Sequence, residues 1–541
     1  MGTTVDAGRS SSDISEPAVD APQKERDATL TKLQSNHAPE DAHFKRQRRY
    51  VTAAMMMVMV LASMEQTVTS TAMPTIVGDL NGLEHYSWVV SIYLLACTIS
   101  MPLYGRLADA LGRKKVILFA IALFCVASVL ASASHSMFEL ILFRGLQGLG
   151  AGGIMPVVLT ILGDIFTLKE RAAVQGFFSF IWGSASIAGP VLGAFLVKTM
   201  GWRSIFFVNL PFAALSFVVL VWKYHDREKP HSTDLDLPGV TLLAIACTAV
   251  LAVVSPMGRD GWPLPAIIGL VAVAIATTLC FIKVERSAAN PILPPDLFAK
   301  RAIGPSMIAS GLLGIGFLSM DTYVPLYVQG AKGGGAAAAG WAVTPVMLTW
   351  ALSGLFAAPM IIRLGFRKTA TFGCILTLVS FSGLVACAFA DAPRWAVTGV
   401  LLISGLGFGP ASMSYLLASQ EAVAWQQRGI ITSGIQFFRT IGGAIGIGLM
   451  GMLFNRLIAP DLARLHDAGI NPSDLMDPIR RGQLNPTALH TASRMIGHGL
   501  TWVFAAMLIF AAMQVVVTLL LPNRKADHAI SRVEAMEAIA G

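Results

Sequence analysis

VTAAMMMVMVLASMEQTVTSTAMPTIV (residues 51–77) is an apolar run of membrane-spanning length with one carboxylate inside it. About 20 apolar residues at 1.5 Å per residue cross the ~30 Å of a bilayer's hydrocarbon, so this run reads as a transmembrane helix. Glu65 sits in its interior, followed by Gln66, Thr67, Thr69, Ser70 and Thr71. A carboxylate at the centre of such a helix costs about 2.5–3.5 kcal/mol even on the gentler insertion scales, which makes Glu65 a functional candidate by default.

Outward from this run, the same pattern repeats along the chain. Apolar spans are expected at 51–77, 86–104, 115–133, 138–162, 172–197, 203–222, 239–257, 264–282, 303–329, 341–362, 369–390, 395–419, 429–455 and 498–521. The sequence therefore predicts an all-α polytopic membrane protein with 14 transmembrane helices embedded in a lipid bilayer. Composition agrees. Of the 541 residues 54% are hydrophobic and 13% charged, where a soluble domain carries about 25% charged residues. The net charge of +8 lies at the ends of spans and forms no patch, which excludes nucleic acid as the reason for it.

Lys and Arg set the orientation. With the N-terminus inside, 24 of them near the spans fall on the inner face, from Lys45, Arg46, Arg48 and Arg49 to Arg524, Lys525 and Arg532; 10 fall outside. Basic loops face the cytoplasm, so both termini are expected there, most simply at a bacterial inner membrane. Residues 1–50 are polar and without an apolar signal region, and read as a disordered cytoplasmic tail.

Two echoes divide the chain. KERAAVQGFFSFIWGSASIAG (169–189) resembles QQRGIITSGIQFFRTIGGAIG (426–446), and GRKKVILF (112–119) resembles FRKTATFG (366–373). Two six-helix bundles are expected, 51–222 and 303–521, with two further helices and their loops inserted at 223–302 and a cytoplasmic tail at 522–541. The C-terminal bundle carries an external loop at 456–497. The two inserted helices have no charge in their cores and are expected to face lipid or pack peripherally.

The loop GRLADALGRKK (105–115) places Asp109 and Arg113 between Gly105 and Gly112. This resembles the signature gating loop of the major facilitator superfamily, with Ala110 where that pattern has Arg, so one of the family's ion pairs is not expected. The resemblance covers residues 50 to 522. LILFRGLQGLGAGG (140–153) puts Arg144, Gln147 and Gly148 in a motif that the family associates with proton transfer. GSASIAGPVLGAF supplies Gly189, Pro190 and Gly193, similar to the glycine–proline motif of antiporters, with Ala194 in place of a second glycine. GWRSIFFVNLP (201–211) and MEQTVTSTAMP (64–74) resemble motifs of the fourteen-span drug:proton antiporter branch, with Glu65 where that branch has Asp.

What the resemblance implies is a proton-coupled efflux antiporter exporting small amphipathic organic compounds by alternating access, driven by the proton gradient with no cofactor. The proton-coupling residues are then Glu65, Asp321 and Arg144, and the gating loop is Gly105, Asp109, Gly112 and Arg113. The substrate cavity draws on Gln66, Thr69, Gln147, Trp182, Trp350 and Arg439. An endogenous lipid, siderophore or metabolite is an alternative cargo. A non-transporting sensor or scaffold would place partner binding, a periplasmic one included, on loop 456–497.

Other chemistries lack residues. GLGAGG (148–153) fits a dinucleotide fingerprint but lies inside a span with no preceding strand, so its glycines serve helix packing. No Walker A sequence, nucleophile–base pair or metal-ligand spacing occurs, which argues against an enzyme. The six cysteines stand singly in apolar spans and read as small buried hydrophobes. No histidine lies in the middle of a span, so no histidine proton relay is expected.

Overall fold

The computed structural model describes residues 47–65, 86–166, 195–226, 236–254, 263–288, 291–334, 336–467 and 486–523, with isolated residues between 68 and 80 and between 170 and 193. Every regular element among them is helical. In chain order these are α1 (47–65), α2 (Tyr86–Leu111), α3 (Arg113–Ser132), α4 (Met137–Ile165), α5 (195–200), α6 (Ser204–Phe207), α7 (Asn209–Lys223) and α8 (Leu237–Val254). There follow α9 (Leu264–Ser287), α10 (Pro295–Phe298), α11 (Gly304–Leu326), α12 (Ala336–Leu364), α13 (Phe366–Phe389), α14 (Arg394–Gln420), α15 (Arg428–Asp467) and α16 (Pro486–Thr518).

Among the described residues, ten helices are long and apolar enough to cross a membrane. The apolar part of α8, Pro238–Val253, is shorter. Prolines sit inside α2, α4, α11, α12 and α14; membrane helices tolerate them because neighbouring helices satisfy the freed carbonyls.

Local chemistry sets the corners. The Ser136 hydroxyl accepts from the Glu139 amide at 3.2 Å, and the Glu139 carboxylate accepts from the His135 amide at 2.8 Å, capping the first turn of α4 from both sides. Gly112 before α3 has φ 92° and Gly365 before α13 has φ 87°, a conformation that glycine adopts without steric cost. These two corners correspond, and they align the echoed segments one residue away from the register that the sequence comparison gives.

The helices pack as two bodies. One core joins Val51–Met59 of α1 with α2, α3 and α4 and extends to Ile430, Ile431 and Ile435 of α15. The other is built from α11 to α16 around Phe381, Phe408 and Phe504. The first turns of α15 thus belong to the neighbouring body's core.

The inserted pair divides. In α9, Leu264, Ile268, Ile275 and Leu279 are exposed, as expected of a lipid-facing helix. By contrast α8 buries Leu243 and Cys247 in the first core, so it is not peripheral. A similar split holds for the cysteines: Cys97, Cys247 and Cys374 are buried, Cys125 and Cys387 partly so, and Cys280 on α9 is exposed. The helices flanking the expected loop 456–497 run into it, to Asp467 on one side and from Pro486 on the other.

Candidate functional site

The deep charge in α1 has a partner. Arg144 Nη1 of α4 lies 2.5 Å from Glu65 Oε1, and both residues are almost wholly buried, at 2% and 1% exposure. Further donors complete the carboxylate: the Thr69 hydroxyl at 3.0 Å, one helical turn on, and the side-chain amide of Asn209 at the start of α7. Arg144 also donates to the Gln147 carbonyl at 2.6 Å and the Val89 carbonyl at 3.4 Å. Its guanidinium lies 4.3 Å from the centre of the Tyr93 ring. Gln147 in turn donates to the Ser128 hydroxyl at 2.8 Å.

Four helices therefore converge on one ion pair. A buried pair this well hydrogen-bonded holds while both members are charged, and neutralising one leaves the other an uncompensated charge in low dielectric.

A second network lies at the end that carries the basic loops. Asp109, near the end of α2, meets Arg113 at 3.2 Å; Arg113 meets Asp164 of α4 at 2.9 Å. All three side chains are buried. Asp109 also accepts from the backbone amides of Gly429 at 3.1 Å and Ile430 at 2.9 Å, the N-terminus of α15 in the other body. Arg428 returns the contact by donating to the Gly163 carbonyl at 3.2 Å. The helices approach closely because Gly105 has no side chain: a Cβ there would stand 2.7 Å from the Gly429 carbonyl oxygen. The two bodies are closed against each other at this end.

In the second body, Asp321 on α11 and Arg439 on α15 are half-buried. Neither forms a hydrogen bond or ion pair with another described residue, and the two do not pair with each other. Trp350 stands edge-on to Phe317 at 4.8 Å, and Phe317 to Phe408 at 5.7 Å. The sequence-predicted residues thus separate into three groups. Glu65, Thr69, Arg144 and Gln147 come together; Gly105, Asp109, Gly112 and Arg113 form the closure; Asp321, Trp350 and Arg439 lie apart in the other body. Gly148 packs against the Tyr93 backbone of α2, a packing role. Gly189 and Gly193 are buried. Gln66, Trp182 and Pro190 lie outside the described residues.

Three participants escaped the sequence reading. Asn209 is a lone amide within FFVNLPF, Asp164 a lone acid near the end of the span in ILGDIF, and Asp226 follows span 6 and accepts from the Lys114 amide at 3.1 Å. A polar residue alone in or at the end of a span was the available signal for each.

Comparison with known proteins identifies the family. Residues 55–447 match the profile described as Major Facilitator Superfamily. The multidrug transporter protein MdtP of Bacillus subtilis is 33% identical over 409 residues, 75% of this chain and 75% of that protein. Multidrug resistance protein 3 of the same organism is 27% identical, covering 85% of this chain and 92% of that one. Among solved structures, a bacterial homologue of the iron transporter ferroportin in its outward-facing state superposes with a TM-score of 0.58 at 12% identity, over 87% of this chain and 98% of that one.

Proposed function

We propose that this chain, which belongs to the major facilitator superfamily, exports amphipathic organic compounds in exchange for protons. The observation that carries the reading is the buried Glu65–Arg144 pair. Membrane helices keep such charges where they mark ion or proton pathways, and the names of the two Bacillus relatives support drugs as the cargo class. In this reading the chain crosses a bacterial inner membrane fourteen times with both ends in the cytoplasm. Residues 51–222 and 303–521 are the two moving halves, and 223–302 is an insertion between them.

The cycle follows from the two networks. With Glu65 ionised and paired to Arg144, and Asp109 seated on α15, the halves are closed at the cytoplasmic end. Protonation of Glu65 from outside loosens the N-terminal core, the Asp109 contact releases, and the cavity opens inward. Cargo binding there favours loss of the proton to the cytoplasm, and the halves close again. Asp321, without a partner among the described residues, is the second proton-exchanging carboxylate.

The test is proton flux in proteoliposomes. Lipophilic cations and neutral drugs added to the wild type should each evoke proton movement, and Glu65→Gln should bind drug without moving protons. Normal coupling in Glu65→Gln would assign the ion pair a structural role only.

A further inference from the structure

One stripe of α11 carries the whole series Gly314, Phe317, Asp321, spaced i, i+3, i+7, so the three lie on the same helix face. At Gly314 the backbone of α15 comes into contact: a Cβ there would collide with the carbonyl oxygen of Arg439. The backbone of Arg439 is therefore level with the Gly314 end of the stripe, and Asp321 stands at its other end. Seven residues of rise separate them by on the order of 10 Å along the helix axis. Between them stands Phe317, edge-on to Trp350 at 4.8 Å and backed by Phe408 at 5.7 Å.

Both charged residues are half-buried and lack a described partner. Charges in membrane helices face the bundle interior or a water-filled path because lipid penalises them. A cation and an anion without partners among the described residues, on either side of aromatic rings, form a ligand site with two poles, and a ligand bearing a single charge leaves one pole unmatched. The aromatic edges suit a flat ring system, whose cationic end gains further from neighbouring π faces.

We infer that the C-terminal half holds a zwitterionic aromatic amphiphile, its cationic group on Asp321, its rings on Phe317 and Trp350, and its acidic group toward Arg439. This rests on the export reading above and adds the class of cargo. It also divides the labour: the N-terminal half keeps its charges paired with each other, and the C-terminal half offers its charges to the ligand.

Three dyes test the inference by fluorescence anisotropy on the purified full chain. Rhodamine B carries a carboxylate and a cationic ring system; its ethyl ester keeps the cation alone; fluorescein keeps the acid without the cation. Wild type should bind rhodamine B about tenfold tighter than either, the factor set over the ester by one charge-assisted hydrogen bond from Arg439 and over fluorescein by one charge–charge contact with Asp321. Arg439→Gln should erase the preference over the ester, Arg439→Lys should keep part of it, and Asp321→Asn should erase the preference over fluorescein. Ratios within one preparation are insensitive to any misfolded fraction.

Equal wild-type affinity for rhodamine B and its ester overturns the inference, as does an unchanged ratio in Arg439→Gln. Transport separates the two readings. If a pH gradient drives the ester and rhodamine B equally well, export stands and the bipolar site falls. If the dyes bind with the expected ratios and no gradient moves any of them, the bipolar site stands and export falls.

Discussion

The carboxylate of Asp109 accepts a hydrogen bond from the Ile430 amide at 2.9 Å, joining the end of α2 to the first turn of α15 across the boundary between the two bodies. A negative charge there meets the positive end of a helix dipole, an interaction worth up to about 2 kcal/mol in a partly buried setting. Arg113 and Asp164 behind it fix the carboxylate in place.

Asp109→Ala should therefore shift the protein toward a state open at the basic end. The expected result is at least a tenfold loss of efflux in a protein that still purifies as a folded monodisperse species. The check uses Ser433, which is fully buried opposite Gly105. In a cysteine-free background Ser433→Cys should be slow to alkylate with Asp109 intact and fast with Asp109→Ala. Equal rates would show that the contact does not hold the closure.

Gly105→Ala tests the same closure by sterics. The added methyl would sit 2.7 Å from the Gly429 carbonyl oxygen and against the Ser433 side chain, distances that real Cβ atoms do not tolerate. The backbone at Gly105 is ordinary helix, so the isolated half should fold normally while the two halves fail to meet. Transport should be lost, and thermal stability of the purified protein should change little. Gly105→Ala that transports at the wild-type rate would mean α2 and α15 never approach this closely in the working cycle.

The sequence displayed the helices because membrane spans are written as uninterrupted apolar runs, and it displayed Glu65 and Arg144 because charges stand out inside such runs. Their pairing was not legible: two deep acids, Glu65 and Asp321, and two deep arginines, Arg144 and Arg439, allow more than one match, and only the packing of α1 against α4 selects Arg144 for Glu65. The role of α8 was hidden for the opposite reason, since an apolar helix reads the same whether it faces lipid or buries Leu243 and Cys247 against another helix. The lengths of α15 and α16 were missed because the residues past 455 are charged and those before 498 are largely polar, yet helix propensity carries both helices well beyond the apolar part.

Opposite the basic end, Asp79 lies beyond the span expected at 51–77 and accepts from the Trp202 indole at 2.8 Å and from Arg203 at 3.3 Å. The Trp202 hydrogen bond, with Arg203 adding to it, holds the Asp79 carboxyl below its ordinary value of 3.8. A depressed carboxyl contributes stability that is present above the unfolded-state value and lost as pH falls through the folded one. The Asp79–Trp202 contact should thus persist at neutral and mildly acidic pH and dissolve only below about pH 4. Trp202→Phe should move the titration of Asp79 upward, read by infrared spectroscopy of the carboxyl band; an unmoved band would remove the indole as the cause.

The Glu65–Arg144 pair makes the sharpest distinction between holding the protein together and moving its cargo. Breaking a buried pair from one side strands a charge, at a cost of about 3–5 kcal/mol, whereas replacing both members with neutral groups of similar size is close to neutral. Glu65→Gln leaves Arg144 with Gln147 and Val89 but no counter-charge, and Arg144→Gln leaves Glu65 with Thr69 and Asn209 alone. Each single variant should unfold at a clearly lower temperature than the wild type in detergent. The double variant should recover most of that loss, since no charge is then stranded. Efflux should follow a different pattern: absent in Glu65→Gln, and still absent in the double variant, because a repaired core has no group on which to carry a proton. Recovery of efflux together with stability would show that the pair serves the fold alone, and the search for the proton carrier would pass to Asp321.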